Sequence, residues 1–297
     1  MSKSAAPALG QMRRCDEYQP AFRPSALKAA LPKLNMNYRE ADDQVFAIVE
    51  EHGADVFRAG LKTKFPQTLR AMSMFCAKTN SLKTAMFDAI DSNNLYAFRV
   101  LYRSFCEHYL RFVYLWVRMS KEKTDEVGKE YYSYCGAVEA LDYGNSLKFA
   151  DGLVGKDVVV NFSYAIEKLY PEAAHLSKKQ LEDYSGKFKY RAILRYLARE
   201  DIRFVSSKTP FLSAIVPAYA LYSSFVHGGP YTDMEMLDYS KPDTLDTCEA
   251  DLEVIVMMSA TVFMLTSMAV TFAKGEKLDH VGGKVSQVLR RFSEHKD

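Results

Sequence analysis

Glycine and proline are scarce in this chain, with 14 and 10 copies among 297 residues. The alternation of apolar and polar residues that marks a half-buried strand is nearly absent, and only "DVVVNF" (157–162) resembles one. Long patterns with a period of 3.6 residues dominate instead. The sequence therefore predicts an all-α fold, a multi-helix bundle built around long apolar helices.

Cysteine is also rare, and no two cysteines show the C-x-x-C spacing of a zinc or redox site. An odd, scattered set argues against a disulfide framework and indicates a reducing, cytoplasmic setting. The first thirty residues contain no continuous apolar stretch, so we expect no secretory signal and a flexible N-terminal arm over 1–35. The five cysteines are Cys15, Cys76, Cys106, Cys135 and Cys248.

Several nucleotide and metal motifs are missing. The sequence contains no P-loop, no G-x-G-x-x-G and no H-E-x-x-H, which argues against a P-loop kinase, a Rossmann dehydrogenase and a zincin. We expect neither a metal nor a cofactor. The formal charge is only +2, from 39 basic and 37 acidic residues, so any nucleic-acid or membrane patch must be local.

Charge is absent from two long stretches, 210–226 and 254–273. The second has twenty residues, enough to span a bilayer. Its Met, Ser, Thr and Ala content and its lack of an aromatic belt favour the central helix of a bundle. The alternative is a hairpin of 211–226 and 254–273 that inserts into a membrane; Pro217 and the shortness of the first segment count against it.

The clearest helix begins after "DSNN" (91–94), whose side chains can accept hydrogen bonds from its first amides. Its apolar residues recur every three or four positions and predict one buried stripe. They are Leu95, Phe98, Tyr102, Phe105, Tyr109, Phe112 and Trp116.

The other periodic segments predict helices, and 227–244 predicts a long loop between the two most apolar of them. We expect a single helical domain over 36–297, in which 36–92 is an optional N-terminal subdomain. The remaining predicted helices cover 40–61, 66–90, 124–150, 161–170, 177–204, 210–227, 244–274 and 281–294.

Arg103 and Glu107 interrupt the apolar run "VLYRSFCEHYLRFVYLW" (100–116). Four residues apart, they share a helix face. They form either an ion pair at the edge of the core or a half-buried cation that Glu107 orients toward an anion such as phosphate. His108 lies five positions after Arg103 and points away from it, so we expect a packed or supporting histidine there.

The stretch "YSSFVHGGPY" (222–231) places His227 at the predicted end of an apolar helix. The helix dipole favours a protonated imidazole at that position. Ser223 lies one turn earlier on the same face, and Tyr222 and Tyr231 are candidates to frame the ring. A histidine that only caps terminal carbonyls is the alternative.

A basic stripe is predicted on the segment "KFKYRAILRYLAREDIRF" (187–204). Four basic residues recur at every fourth position with Phe188, Tyr190 and Tyr196 interleaved. The stripe suits an RNA backbone with bases stacked on the aromatic rings, although a solvated face has the same pattern. The four residues are Lys187, Arg191, Arg195 and Arg199.

Two blocks, "YRSFCEHYL" (102–110) and "LYSSFVHGGPY" (221–231), resemble an uncharacterised bacterial all-helical family. In it one helix carries Arg-x3-Glu and a later helix ends with Ser-x3-His. The matching residues are Arg103, Glu107, Ser223 and His227.

The same blocks resemble the HEPN superfamily (higher eukaryote and prokaryote nucleotide-binding domains), whose metal-independent ribonucleases use an Arg-polar-x3-His motif. "RSFCEH" (103–108) has this form. "SSFVHGGPY" is similar to the related Arg-Asn-x-x-Val-His-x-Tyr form, but Tyr222 and Ser223 replace its Arg and Asn. An arginine for that site would therefore come from Arg103 or a partner subunit. The resemblance covers 95–120 and 210–275, under a third of the chain.

The resemblance implies a helical bundle, often dimeric, of the kind found in toxin–antitoxin and antiphage abortive-infection systems. We expect a metal-independent endoribonuclease with Arg103, Glu107, and His227 or His108 at its centre. We expect it to bind RNA. We also expect a protein partner, either a second copy of this chain or a cognate regulator. The alternative is a non-catalytic helical module that binds RNA, a nucleotide or a protein.

Overall fold

The computed structural model describes residues 36–156, 162–199, 211–237, 245–274 and 278–293. The all-α prediction is confirmed, since these residues contain helices and no strand. The strand-like residues 157–161 and the N-terminal arm 1–35 lie outside the described ranges.

The described residues form a series of α-helices. We label them α1 Tyr38–Leu61, α2 Pro66–Asp91, α3 Leu95–Glu122, α4 Glu126–Lys129, α5 Gly136–Leu153, α6 Phe162–Leu169, α7 Lys178–Gly186, α8 Tyr190–Arg199, α9 Phe211–His227, α10 Pro230–Leu237, α11 Leu245–Lys274 and α12 Asp279–Ser293. A π-helical segment, Glu130–Cys135, joins α4 to α5, and a 3₁₀ turn, Pro171–Ala173, follows α6.

Helix α3 carries the predicted aromatic stripe into the core. Phe98, Phe105 and Phe112 are fully buried, and Tyr102 and Tyr109 are nearly so. One continuous apolar core extends from Ala41 in α1 to Phe292 in α12, so the segment 36–92 shares its core with the rest of the bundle.

Helix α11 lies at the centre of the bundle and packs against α1, α2, α3 and α12. Among the described residues it is the one helix long and apolar enough to cross a membrane, over Cys248–Ala273. Within its most apolar window, 67% of the residues are buried inside the protein. This packing supports the interpretation of 254–273 as a core helix.

Two sequence predictions of local structure were wrong. The helix predicted over 177–204 breaks at residues 187–189, because Phe188 turns inward to a 5% exposed position against the rings of Tyr114 and Tyr131. The loop predicted over 227–244 contains α10. Gly228 ends α9 with φ +60, and Pro230 is the first residue of the next helix, a position that proline favours.

The N-terminus of α2 is capped from a distant part of the chain. Asp125 accepts hydrogen bonds from the amides of Gln67 (2.9 Å) and Thr68 (2.8 Å). Gly128 packs onto the same turn, and its amide donates to Thr68 Oγ1 over 3.1 Å. The chain after α3 is thereby fixed to the start of α2.

Candidate functional site

Helices α3 and α9 pack side by side in antiparallel directions. Tyr96, near the start of α3, donates a hydrogen bond to the carbonyl of Phe225, near the end of α9. Further along α3, Glu107 contacts Tyr219, which lies earlier in α9. This pairing brings together the two sequence blocks that contain Arg103 and Ser223.

Four side chains form a closed set of hydrogen bonds between these helices, which we call the Arg103 network. Arg103 Nη2 donates to Glu107 Oε1 (3.1 Å) and to the Tyr219 hydroxyl (2.9 Å), and Nη1 donates to Glu107 Oε2 (3.4 Å). Arg103 Nε donates to Ser223 Oγ over 3.4 Å. The Tyr219 hydroxyl donates to Glu107 Oε1 (2.8 Å), and Ser223 Oγ donates to the Tyr219 carbonyl (2.7 Å).

The Arg103 network lies at the edge of the core. The side chains of Arg103 and Glu107 are 18% and 24% exposed, so solvent reaches both. The guanidinium carbon lies 5.0 Å from the centroid of the Tyr219 ring. Burial raises the pKa of Tyr219, and its hydrogen bond to Glu107 adds to the shift. Tyr219 therefore remains a neutral donor near pH 7. Sequence reasoning missed this residue.

Tyr190 of α8 extends the site toward the basic helix. Its ring stacks on Tyr219 with centroids 3.7 Å apart and planes 11° from parallel. Tyr190 also lines a crevice of about 10 Å³ together with Glu107 and Arg111. That volume holds about one water molecule, so a larger ligand would bind on the outer surface of the site.

His227 is the last residue of α9 and is exposed. It follows Ser223 by four residues, so its Cβ lies about 6 Å away on the same helix face. No hydrogen bond joins Arg103 to His227 within the described ranges; Ser223, which contacts Arg103, lies one helical turn before His227 on α9. Tyr231 is the second residue of α10, and its side chain lies outside the described part of the chain.

Tyr222 points into the core and does not frame His227. It is 7% exposed, its ring packs edge-on against Tyr102 at 5.1 Å, and its hydroxyl donates to Asp251 Oδ2 over 3.0 Å. The sequence reasoning placed Tyr222 beside Ser223 at the site. Adjacent helical residues point about 100° apart, which separates the two.

Asp251 of α11 is a buried acid that the sequence reasoning overlooked. It is 8% exposed, and burial raises its pKa to about 7, although the hydrogen bond from Tyr222 and the charge of Arg99 oppose this shift. Asp251 is one of several acidic residues just before the uncharged run 254–273, with Glu249 and Glu253 beside it, so sequence alone did not single it out. Two polar sets therefore lie back to back, one at the edge of the core around Arg103 and one buried around Asp251.

His108 lies away from the Arg103 network, as its spacing predicted. Its Nδ1 donates to the carbonyl of Ser104 over 2.8 Å, and its ring packs edge-on against Phe75 of α2 at 5.8 Å. Burial lowers its pKa, so the ring is neutral near pH 7. The geometry gives His108 a packing role.

The basic stripe is divided by the break between α7 and α8. Arg191, Arg195 and Arg199 are exposed on α8, opposite the buried Ile193 and Leu197.

Lys187 lies in the break and donates to the buried Glu130 over 2.9 Å. Glu130 also pairs with Arg118, which binds Glu122 through Nε (2.6 Å) and Nη2 (2.9 Å). Lys187 therefore belongs to a structural ion-pair network, and three arginines remain as the candidate RNA track.

The described residues contain no group of three or more His, Cys, Asp or Glu side chains placed to hold a metal ion. Comparisons with protein-family models, with curated proteins and with solved structures give no match to this chain. Its candidate function therefore depends on the geometry of the site.

Proposed function

We propose that this protein is a HEPN-like effector that binds single-stranded RNA across α3, α8 and α9 and cleaves it without a metal ion. One observation carries the proposal: Arg103 Nε contacts Ser223 Oγ, one helical turn before the exposed His227. A phosphate beside Ser223 would lie within reach of both a guanidinium and an imidazole. A toxin-like role in bacterial antiphage or abortive-infection defence follows from the resemblance.

The chemistry needs one base and one fixed cation. His227 would take the proton of a ribose 2′-hydroxyl, and the 2′-oxygen would attack the adjacent phosphorus. The bond from phosphorus to the 5′-oxygen breaks, that oxygen takes a proton from water, and a 2′,3′-cyclic phosphate remains. Arg103 would stabilise the negative charge that builds on the phosphate oxygens, while Glu107 and Tyr219 hold its guanidinium in place.

The exposed face of α8 would hold the RNA backbone. Arg191, Arg195 and Arg199 succeed one another along the helix at one-turn intervals of about 6 Å. Tyr190, whose ring stacks on Tyr219, connects this helix to the Arg103 network. The three arginines would contact successive phosphates, and binding would weaken as salt rises.

The test compares RNA cleavage and thermal melting in wild type, Arg103→Ala and His227→Ala, with EDTA present and with total RNA and tRNA as substrates. We expect both variants to lose cleavage by about 100-fold or more. His227→Ala should melt like wild type because His227 is exposed. His175→Ala and Arg58→Ala, at exposed positions elsewhere, serve as matched controls and should cleave normally. Full cleavage by His227→Ala would exclude its role as the base.

The alternative is a non-catalytic helical module that binds RNA, a nucleotide or a partner protein, and one observation favours it. The guanidinium of Arg103 already makes four hydrogen bonds to Glu107, Tyr219 and Ser223, which suits a clamp between two core helices. In that case wild type would not cleave RNA, and Arg103→Ala would melt several degrees lower because Glu107 and Tyr219 lose their partner. A second copy or a cognate protein would then bind the same face.

A further inference from the structure

A cleft lies between α1 and α2 in the described part of the protein, and none of its lining residues belongs to the Arg103 network. Its volume is about 320 Å³, within the range of small-molecule sites. Two aromatic side chains form its apolar lining: Phe46, which is 42% exposed, and Phe87. A small ligand with a planar or apolar body fits such walls.

A lysine and an aspartate form a nearly buried pair in this cleft. Lys83 of α2 bonds to Asp42 of α1, and their side chains are only 4% and 13% exposed. Both residues line the cleft. A charged pair at this depth is costly to desolvate, and here the pair lines an open cleft.

Burial moves both members of the pair toward their neutral forms. It lowers the pKa of Lys83 and raises the pKa of Asp42, and in each case it exceeds the effect of the opposite charge. A neutral amine is a nucleophile, and a neutral carboxyl is a proton donor. An exposed lysine, by contrast, is almost fully protonated at pH 7.

The rim of the cleft carries a cation. Arg39 is 42% exposed and lies 5.2 Å from the centroid of the Phe87 ring. Its Nη2 donates to Asp91 at 2.5 Å, which holds the guanidinium at the opening. A guanidinium has five N–H donors in a fork that matches a carboxylate or phosphate.

We propose that Lys83 is a reactive lysine that forms an imine with a small aldehyde or ketone. The ligand would have an aromatic or apolar body between Phe46 and Phe87 and an anionic group beside Arg39. This site is independent of the proposed RNA cleavage.

Lys83 and Asp42 supply the nucleophile and the proton that imine formation needs. The Lys83 amine attacks the carbonyl carbon and forms a carbon–nitrogen bond, giving a carbinolamine. Asp42 in its acid form protonates the hydroxyl, which leaves as water while the carbon–nitrogen double bond forms. The remaining proton on nitrogen returns to Asp42, so the products are a neutral imine and one water molecule.

The experiment uses the full chain with 4-carboxybenzaldehyde and sodium cyanoborohydride at pH 7, followed by tryptic mass spectrometry of each lysine. We expect the Lys83 adduct to form faster than adducts on the exposed Lys62 and Lys64, because burial lowers the pKa of Lys83 and so raises the neutral fraction of its amine. In Asp42→Asn the amine keeps a larger neutral fraction, but the loss of water from the carbinolamine lacks its acid, so the Lys83 adduct should form more slowly.

Arg39→Gln separates ligand recognition from amine reactivity. It should slow labelling of Lys83 by 4-carboxybenzaldehyde and leave labelling by neutral benzaldehyde unchanged. Lys83→Arg is the control for assigning the fast-forming adduct to Lys83. This variant should lose that adduct and keep the Lys62 adduct as in wild type. The proposal is overturned if Lys83 of the folded protein labels no faster than Lys62, or labels only in urea.

Discussion

At the scale of single residues, Asp251 is a buried acid whose charge depends on its surroundings. Its carboxyl is buried beside Tyr222 and Tyr102, and the Tyr222 hydroxyl donates to it. Burial favours its neutral form, with a pKa of about 7. The charge on this group therefore changes near neutral pH inside the protein.

The pH dependence of stability follows from that shift. The pKa of Asp251 is raised from 3.8 to about 7 on folding. Its contribution to the free energy of unfolding is therefore complete below about pH 4 and is lost as pH rises through 7. The loss is on the order of 4 kcal/mol at 1.36 kcal/mol per unit. Asp251→Asn, which still accepts from Tyr222, should therefore gain stability over wild type as pH rises from 5 to 8.

Urea unfolding at pH 5, 6.5 and 8 measures this difference. Glu249→Gln, an exposed neutral replacement two residues away, is the matched control and should track wild type at each pH. If Asp251→Asn and wild type showed parallel pH profiles, Asp251 would titrate normally in the folded protein.

Residue type and spacing predicted part of the candidate site from the sequence. Arg103, Glu107 and Ser223 were predicted from their positions on two helices, and the structure joins them. Tyr219 and Asp251 were missed because their roles depend on how α9 packs on α3 and on the hydrogen bond from Tyr222 to α11. Periodicity within one helix carries no information about that packing.

At the scale of elements, the start of α2 depends on a close backbone approach. A Cβ on Gly128 would lie 2.2 Å from the amide nitrogen of Thr68 and 2.6 Å from the carbonyl carbon of Gln67. Neither backbone atom can move without disturbing the hydrogen bonds to Asp125. Only glycine fits at this position.

Gly128→Ala should therefore lower the free energy of unfolding by about 3 kcal/mol, the cost of overpacking a rigid contact. Gly152→Ala in α5 is the matched control, since a Cβ there meets nothing within 4 Å. It should be neutral or stabilise the helix by up to about 1 kcal/mol. Chemical denaturation of both variants checks the pair, and equal effects would contradict the close packing at Gly128.

The elements themselves were largely predictable. The period of 3.6 residues located the long helices, and their ends fell within a few residues of the structure. The errors at 187–189 and 230–237 have one cause. Local patterns did not reveal that Phe188 is needed in the core or that Pro230 would begin a helix as well as follow one.

At the scale of the whole molecule, α11 is the helix around which the bundle is built. Val270 is fully buried, whereas Phe272, two residues later, is 55% exposed. A helix that spanned a bilayer would place lipid around such an exposed face. In the bundle, the face of α11 with Val270 packs into the core, and the face with Phe272 is open to solvent.

A pair of substitutions tests this arrangement. Val270→Asn should cost about 3 kcal/mol because it buries an amide without a partner. Phe272→Asn should change stability by no more than about 0.5 kcal/mol, as expected for an exposed position. Urea unfolding without detergent measures both. A requirement for detergent, or a large loss from Phe272→Asn, would favour the membrane-inserting alternative.

The back-to-back arrangement on α9 makes the length of this helix critical. Tyr222 contacts the interior and Ser223 contacts Arg103, although they are neighbours in the chain. Deleting one residue after Tyr219 would turn everything beyond it by about 100° and shorten it by about 1.5 Å. The inner and outer contacts would fail together, so the segment from Tyr219 to His227 tolerates exchange of residues far better than a change in their number.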